Sequence, residues 1–151
     1  MRSTLVPTDF EVPLVLDTPR FRLRMLSLAD VDKDYDAVIS SVKHLKGFFG
    51  QNNAWPEGLT MEQELIDLSW HQKEFQLRSS FTYTVVTPDE TKCVGCVYIF
   101  PSKKAGFDAV VFMWARESEL GTGLDEELYK TVKAWIKDKW PFKNVAYPGR
   151  D

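Results

Sequence analysis

With 151 residues, 44% of them hydrophobic and 27% charged, the chain has the length of one ordinary folded domain and a globular composition, which excludes an intrinsically disordered protein. A formal net charge of −3 excludes the broad positive surface that non-specific nucleic-acid binding needs, although Arg20/Arg22/Arg24 and Lys103/Lys104 leave room for a small anion. No run approaches the roughly 18–20 apolar residues of a membrane span, and the short apolar stretch at 12–16, broken by Pro13 and flanked by Asp9, Glu11 and Asp17, is not a signal peptide, so the expected location is cytoplasmic.

Residues 1–19, punctuated by Pro7, Pro13 and Pro19, read as an extended arm or a short edge strand. Residues 21–26 read as a strand in which Phe21, Leu23 and Met25 alternate with Arg20, Arg22 and Arg24, the period of a half-buried strand. The arginines belong on its solvated face, with a phosphate contact by one of them as the lesser alternative. Asp30 is placed to cap a helix whose apolar positions are Val31, Tyr35, Val38, Ile39 and Val42. The loop "GFFGQNNAWPEG" (47–58) carries Phe48, Phe49 and Trp55, either as a lid on the core or as the lining of a groove. Thr60 and Gln63 form a capping box for a helix over 61–77, whose buried side is expected from Leu65, Leu68, Phe75 and Trp70. His71 in this helix has no visible partner and reads as a surface or groove histidine.

Two strands, 81–87 and 92–100, return antiparallel about the turn 88–91, and Gly95 in mid-strand marks a bulge or a close backbone approach. Cys93 and Cys96 lie three apart in that strand, so they are expected on opposite faces as buried thiols. With only His44 and His71 elsewhere, no metal centre is expected. Residues 108–116 are almost wholly apolar, as in a central strand buried on both faces. After "ESELGTG" a helix begins at 124, with Leu124, Leu128, Val132, Trp135 and Ile136 as its inner stripe and Glu126–Lys130 as an outer ion pair. Pro141 ends it. A short last strand at 143–148 follows, which the strand–helix–strand connection makes parallel to 108–116. The expectation is a single α/β (α+β) domain over 1–151.

In this order the elements resemble the GNAT superfamily, the acyl-CoA-dependent N-acetyltransferases. "LDTPRFRLRMLSLADVD" (16–32) is similar to the L-x-T-x-R-L-x-L-R opening of the ribosomal-protein acetyltransferase branch, with Phe21 where leucine is usual. "DAVVFMWARESELGTGLDEELYKTVKAWI" (108–136) is similar to the family's central strand, pyrophosphate loop and following helix. The resemblance implies a mixed, mostly antiparallel sheet with helices on both faces, acetyl-CoA as cosubstrate, no metal, and an amine acceptor. By position, Gly121, Thr122, Gly123 and Leu124 would hold the phosphates through main-chain N–H groups at a helix start. Trp114, Ala115 and Arg116 would flank the pantetheine arm. The chain departs from the pattern at Ser118, where glutamine or arginine is usual, and in the acids Glu117, Glu119, Asp125, Glu126 and Glu127, which would repel a diphosphate. Thr122 and Asp125 could also close a capping box on the same amides. The family's further C-terminal helix and two strands have no counterpart before Asp151.

For catalysis, Tyr147 is the candidate general acid for the departing thiolate, with core packing at a strand end as the alternative. Asp108 and Glu117 are either water-mediated bases or solvated strand ends. Two functions follow: an acetyl-CoA-dependent N-acetyltransferase acting on an amine, or a catalytically inactive domain of this fold serving as an acyl-CoA-binding or protein-interaction module. A homodimer through the last strand or the arm is open to either, because an uncovered sheet edge invites pairing.

Overall fold

Six strands lie side by side in the order in which the chain makes them: β1 (Val15–Asp17), β2 (Arg22–Met25), β3 (Phe81–Val86), β4 (Cys93–Pro101), β5 (Ala109–Ala115) and β6 (Val145–Ala146). The structure is a computed structural model, and it describes residues 4–150. Every neighbouring pair is antiparallel except β5 and β6, which run parallel on either side of α4 (Leu124–Lys139). The mixed, mostly antiparallel sheet implied by the resemblance is therefore present.

Helices cover both faces because the strands alternate apolar side chains to both. On one face α4 sets Leu124, Leu128, Val132, Trp135 and Ile136 against Val111, Met113 and Ala115 of β5, with Val6 of the arm beside them. Each such fully buried aliphatic side chain is worth about 1.5–3 kcal/mol. On the other face α1 (Val31–Ile39), α2 (Val42–Leu45) and α3 (Met61–Gln76) bring Ala37, Val38, Leu45 and Leu68 onto Cys96, Tyr98 and Trp114. The arm ends in edge strand β1. Before it, the Leu5 amide donates to the Arg78 carbonyl, and the Arg78 guanidinium donates to the carbonyls of Pro7 and Phe10.

Three sequence expectations change here. Asp30 does not cap α1 with its side chain; it is buried, accepts from the Ser27 amide and forms a bidentate pair with Arg24. The inner face of α3 is Glu64, Leu68, His71 and Phe75, while Leu65 and Trp70 are 41% and 44% exposed. Cys93 and Cys96 share one face. The β3–β4 register slips between Val85, opposite Gly95, and Val86, opposite Cys93, so one extra residue restores the alternation. Burial pushes both thiols up, Cys93 to about 12, which leaves them protonated and unreactive. Gly95 is required at the bulge because a Cβ there would stand 2.5 Å from the Trp114 carbonyl oxygen.

Candidate active site

β5 and β6 pair only at Ala109–Val145 and Val110–Ala146. Beyond Val110 the two strands part, and β5 continues to Ala115 with no strand on that side among the described residues. The amide of Arg116 donates to the Val94 carbonyl, so even-numbered residues of this segment aim their main chain at β4. By alternation Met113 and Ala115 aim theirs into the fork. The Met113 carbonyl there accepts from the Arg150 guanidinium at 2.9 Å.

At the mouth of the fork, β5 leads through a short 3-10 turn (Glu117–Glu119) to Gly121 and Gly123, both with left-handed φ of 88° and 83°. Gly123 is the N-cap of α4. The Thr122 amide is used, donating to the Glu119 carbonyl, and the Leu124 amide makes a long 3.4 Å bond to the Thr122 hydroxyl. Among the described residues the amides of Gly121, Gly123, Asp125 and Glu126 have no acceptor. They are the orphan donors of a helix start, carrying its partial positive charge. The expected Thr122–Asp125 box does not form, because the Thr122 hydroxyl donates to the Glu119 carbonyl and Asp125 turns to Arg150.

Two of the acids around the turn, Asp125 and Glu127, are paired with arginines far away in sequence. Arg150 grips both carboxylate oxygens of Asp125. Arg20 reaches across from the loop before β2 to Glu127 at 3.2 Å and to the Thr122 hydroxyl and carbonyl. Its Nη1 would stand 3.9 Å from a Cβ at Gly123, so a guanidinium already hangs over the turn. Glu126 pairs with Lys130 at 3.0 Å in solvent.

Of the sequence candidates, the structure brings Ala115, Gly121, Thr122, Gly123 and Leu124 to the fork and its mouth. Two side chains point away. The Trp114 indole donates to the Tyr98 hydroxyl on the α1/α3 face, and buried Arg116 donates to Asp36 and to the Cys93 carbonyl. Tyr147 follows directly on the last paired residue, at the closed end of the fork, with its ring edge-on to Tyr129. It also lines a groove of about 1560 Å³ with Phe100, Lys104, Phe107, Val110 and Ala146. Asp108 is a clamp and not a base. Burial opposes its ionisation, but the Lys143 and Asn144 amides outweigh this and hold it below the usual carboxylate range. Sequence reasoning missed Met113 and Arg150 and gave Arg20 little weight; no local pattern marks them.

No family model matches the chain, and neither does any curated protein. Solved structures do. Ribosomal-protein-S5-alanine acetyltransferase from Vibrio fischeri superposes with a TM-score of 0.72 at 14% identity, over 92% of this chain and 77% of that one. A Bordetella pertussis protein assigned to the GnaT family of acetyltransferases gives 0.68 at 18% identity, over 89% and 77%. RimL, a ribosomal L7/L12 alpha-N-protein acetyltransferase solved with coenzyme A, gives 0.63 at 17% identity, over 82% and 68%. Among the described residues no helix is long and apolar enough to cross a membrane. With its forked parallel strand pair and the glycine turn that opens α4, the chain has the fold of the GNAT acetyltransferases.

Proposed function

We propose that the protein is an acetyl-CoA-dependent N-acetyltransferase acting on an amine. The observation that carries this reading is the fork between β5 and β6 ending at a helix start with unengaged amides. Such a terminus suits a diphosphate, and the glycines let it come close to the backbone. The amides of Gly121, Gly123, Asp125 and Glu126, with Arg20 above them, would hold the phosphates, while Thr122 and Leu124 shape the turn. The pantetheine arm would lie along the main chain of Met113 and Ala115, taking the Met113 carbonyl from Arg150. RimL, which shares the fold, was solved with coenzyme A bound.

In the reaction the amine nitrogen forms a bond to the thioester carbonyl carbon, the carbon–sulfur bond breaks, and the amine loses a proton as the thiolate gains one. Tyr147, at the closed end of the fork, would supply the proton to sulfur. The experiment is the melting temperature with and without acetyl-CoA. Ligand at about 100 times its dissociation constant adds roughly 2.7 kcal/mol, and no shift at millimolar acetyl-CoA rejects the reading. The Arg150 tie to Asp125 and Met113 favours a second one, a domain whose fork is filled by its own chain and which binds without catalysing. A melting shift without thiol release across an amine panel would establish that alternative.

A further inference from the structure

A second concavity, of about 430 Å³, lies on the opposite face of the sheet, walled by α1, α3, the 47–58 loop and β4. Asp34 of α1 and Glu64, Asp67 and His71 of α3 line it, together with the rings of Phe49, Trp55, Tyr98 and Phe100. Asp34 and Glu64 are 5% and 2% exposed, and Asp34 Oδ1 and Glu64 Oε2 are buried with no hydrogen-bond partner. A buried carboxyl oxygen without a donor is costly, so two of them lining one space call for a donor from outside.

Among the described residues no cation supplies it. Arg24 is committed to Asp30 and Glu90, Arg116 to Asp36 and the Cys93 carbonyl, and Lys33 to the Glu90 carbonyl. His71 is held neutral, since burial lowers it to about 4, and its Nδ1 lies 3.0 Å from the Thr82 hydroxyl. Among the described residues no three His, Cys, Asp or Glu side chains converge closely enough for a metal ion. An organic cation meets both halves of the lining, because aromatic faces attract ammonium groups as well as packing on their methylenes. The volume is that of a small-molecule site.

We propose that this pocket binds the ammonium group of a small aliphatic amine, with Asp34 and Glu64 accepting its N–H donors and Phe49, Trp55 and Tyr98 enclosing its carbon chain. Acetylation of that amine rests on the transferase reading above; its binding does not. Burial, first among the causes, raises the pKa of both carboxyls, and their mutual contact further favours a shared proton. An entering ammonium therefore displaces that proton. Asp30, Asp67, His71, Tyr98 and the Cys93 and Cys96 thiols are the other titratable groups around the pair.

The test is calorimetric titration of the full chain, without any acyl-CoA, using 1,4-diaminobutane, the neutral 1,4-butanediol and magnesium chloride. The diamine is expected to bind with an enthalpy that changes with the buffer's heat of ionisation, the sign of proton release, and the diol to give no signal. Glu64→Gln should weaken the diamine at least tenfold while leaving the protein folded by its melting curve, and Trp55→Leu should weaken it severalfold if Glu64→Gln fails to fold. Equal binding of diol and diamine, tighter binding of magnesium, no binding at all, or unchanged affinity in the folded variants would overturn the proposal. A diamine that fails while acetyl-CoA still shifts the melting temperature removes this site alone, and the reverse outcome removes the transferase reading alone.

Discussion

Two glycines separate stability from ligand binding at the residue scale. At Gly95 an added methyl meets the Trp114 carbonyl oxygen, and the strands must part to admit it. Gly95→Ala should cost about 1–3 kcal/mol in urea denaturation and leave the acetyl-CoA shift per mole of folded protein intact. Gly123 has φ 83° and open space around it apart from Arg20, so Gly123→Asp should cost about 1–2 kcal/mol from backbone conformation. It should also abolish the acetyl-CoA shift, because the new carboxylate stands where phosphate must lie. Tyr147→Phe should bind acetyl-CoA as before and lower kcat by roughly 10²-fold or more if its hydroxyl protonates the thiolate; unchanged turnover would return Tyr147 to a packing role. The placing of the glycines at a helix start and of Tyr147 just past a strand end was legible in the sequence because turn and strand-end chemistry are local. Arg20 was not, because its hydrogen bonds to Thr122 span 102 residues and its alternation with Phe21 and Leu23 assigns it only to a solvated face.

At the scale of the element, α3 shows what a hydrophobic pattern conceals. Its start was readable from the Thr60 cap, which accepts from the Gln63 amide, and its length from its periodicity. Its inner face was not, because the rule that apolar residues point inward chose Leu65 and Trp70 over Glu64 and His71. The same chemistry makes stability depend on pH in two opposite ways. Asp34 and Glu64 hold a shared proton in the fold, mainly through burial, but both ionise in the unfolded chain. Their contribution is therefore complete below the ordinary carboxylate range and lost as pH rises, at up to about 1.4 kcal/mol per pH unit for the one shared proton. His71 is lowered from 6.5 to about 4, so its contribution is present above about pH 6.5 and lost as pH falls toward 4, on the order of 3 kcal/mol in all. Urea melts from about pH 5 to pH 8 should show stability declining across the upper part of that range, and Glu64→Gln should flatten the decline. A wild-type curve rising steadily to pH 8 would mean that the carboxyl pair is ionised in the fold.

For the whole molecule, the antiparallel β3–β4 hairpin followed from the turn between its strands, and the parallel β5–β6 pair from element order, since a helix between two strands in one sheet sets their direction. The fork did not follow, because where two parallel strands stop pairing depends on how the 147–150 turn is pulled toward α4. That turn is held by Arg150, which joins Asp125 of α4 to the Met113 carbonyl of β5. The guanidinium is in effect a tethered competitor. Its local concentration at the fork is constant, whereas that of a free ligand varies, so apparent affinity is scaled down by the fraction of molecules in which the tie is open. Arg150→Gln should tighten binding of pantetheine, which has no phosphate to lose from the site, and unchanged affinity would show that the arm runs elsewhere. Entry of any such ligand must also release the Arg150 guanidinium from the Met113 carbonyl, so protease nicking of the 147–150 turn would report when the fork is occupied.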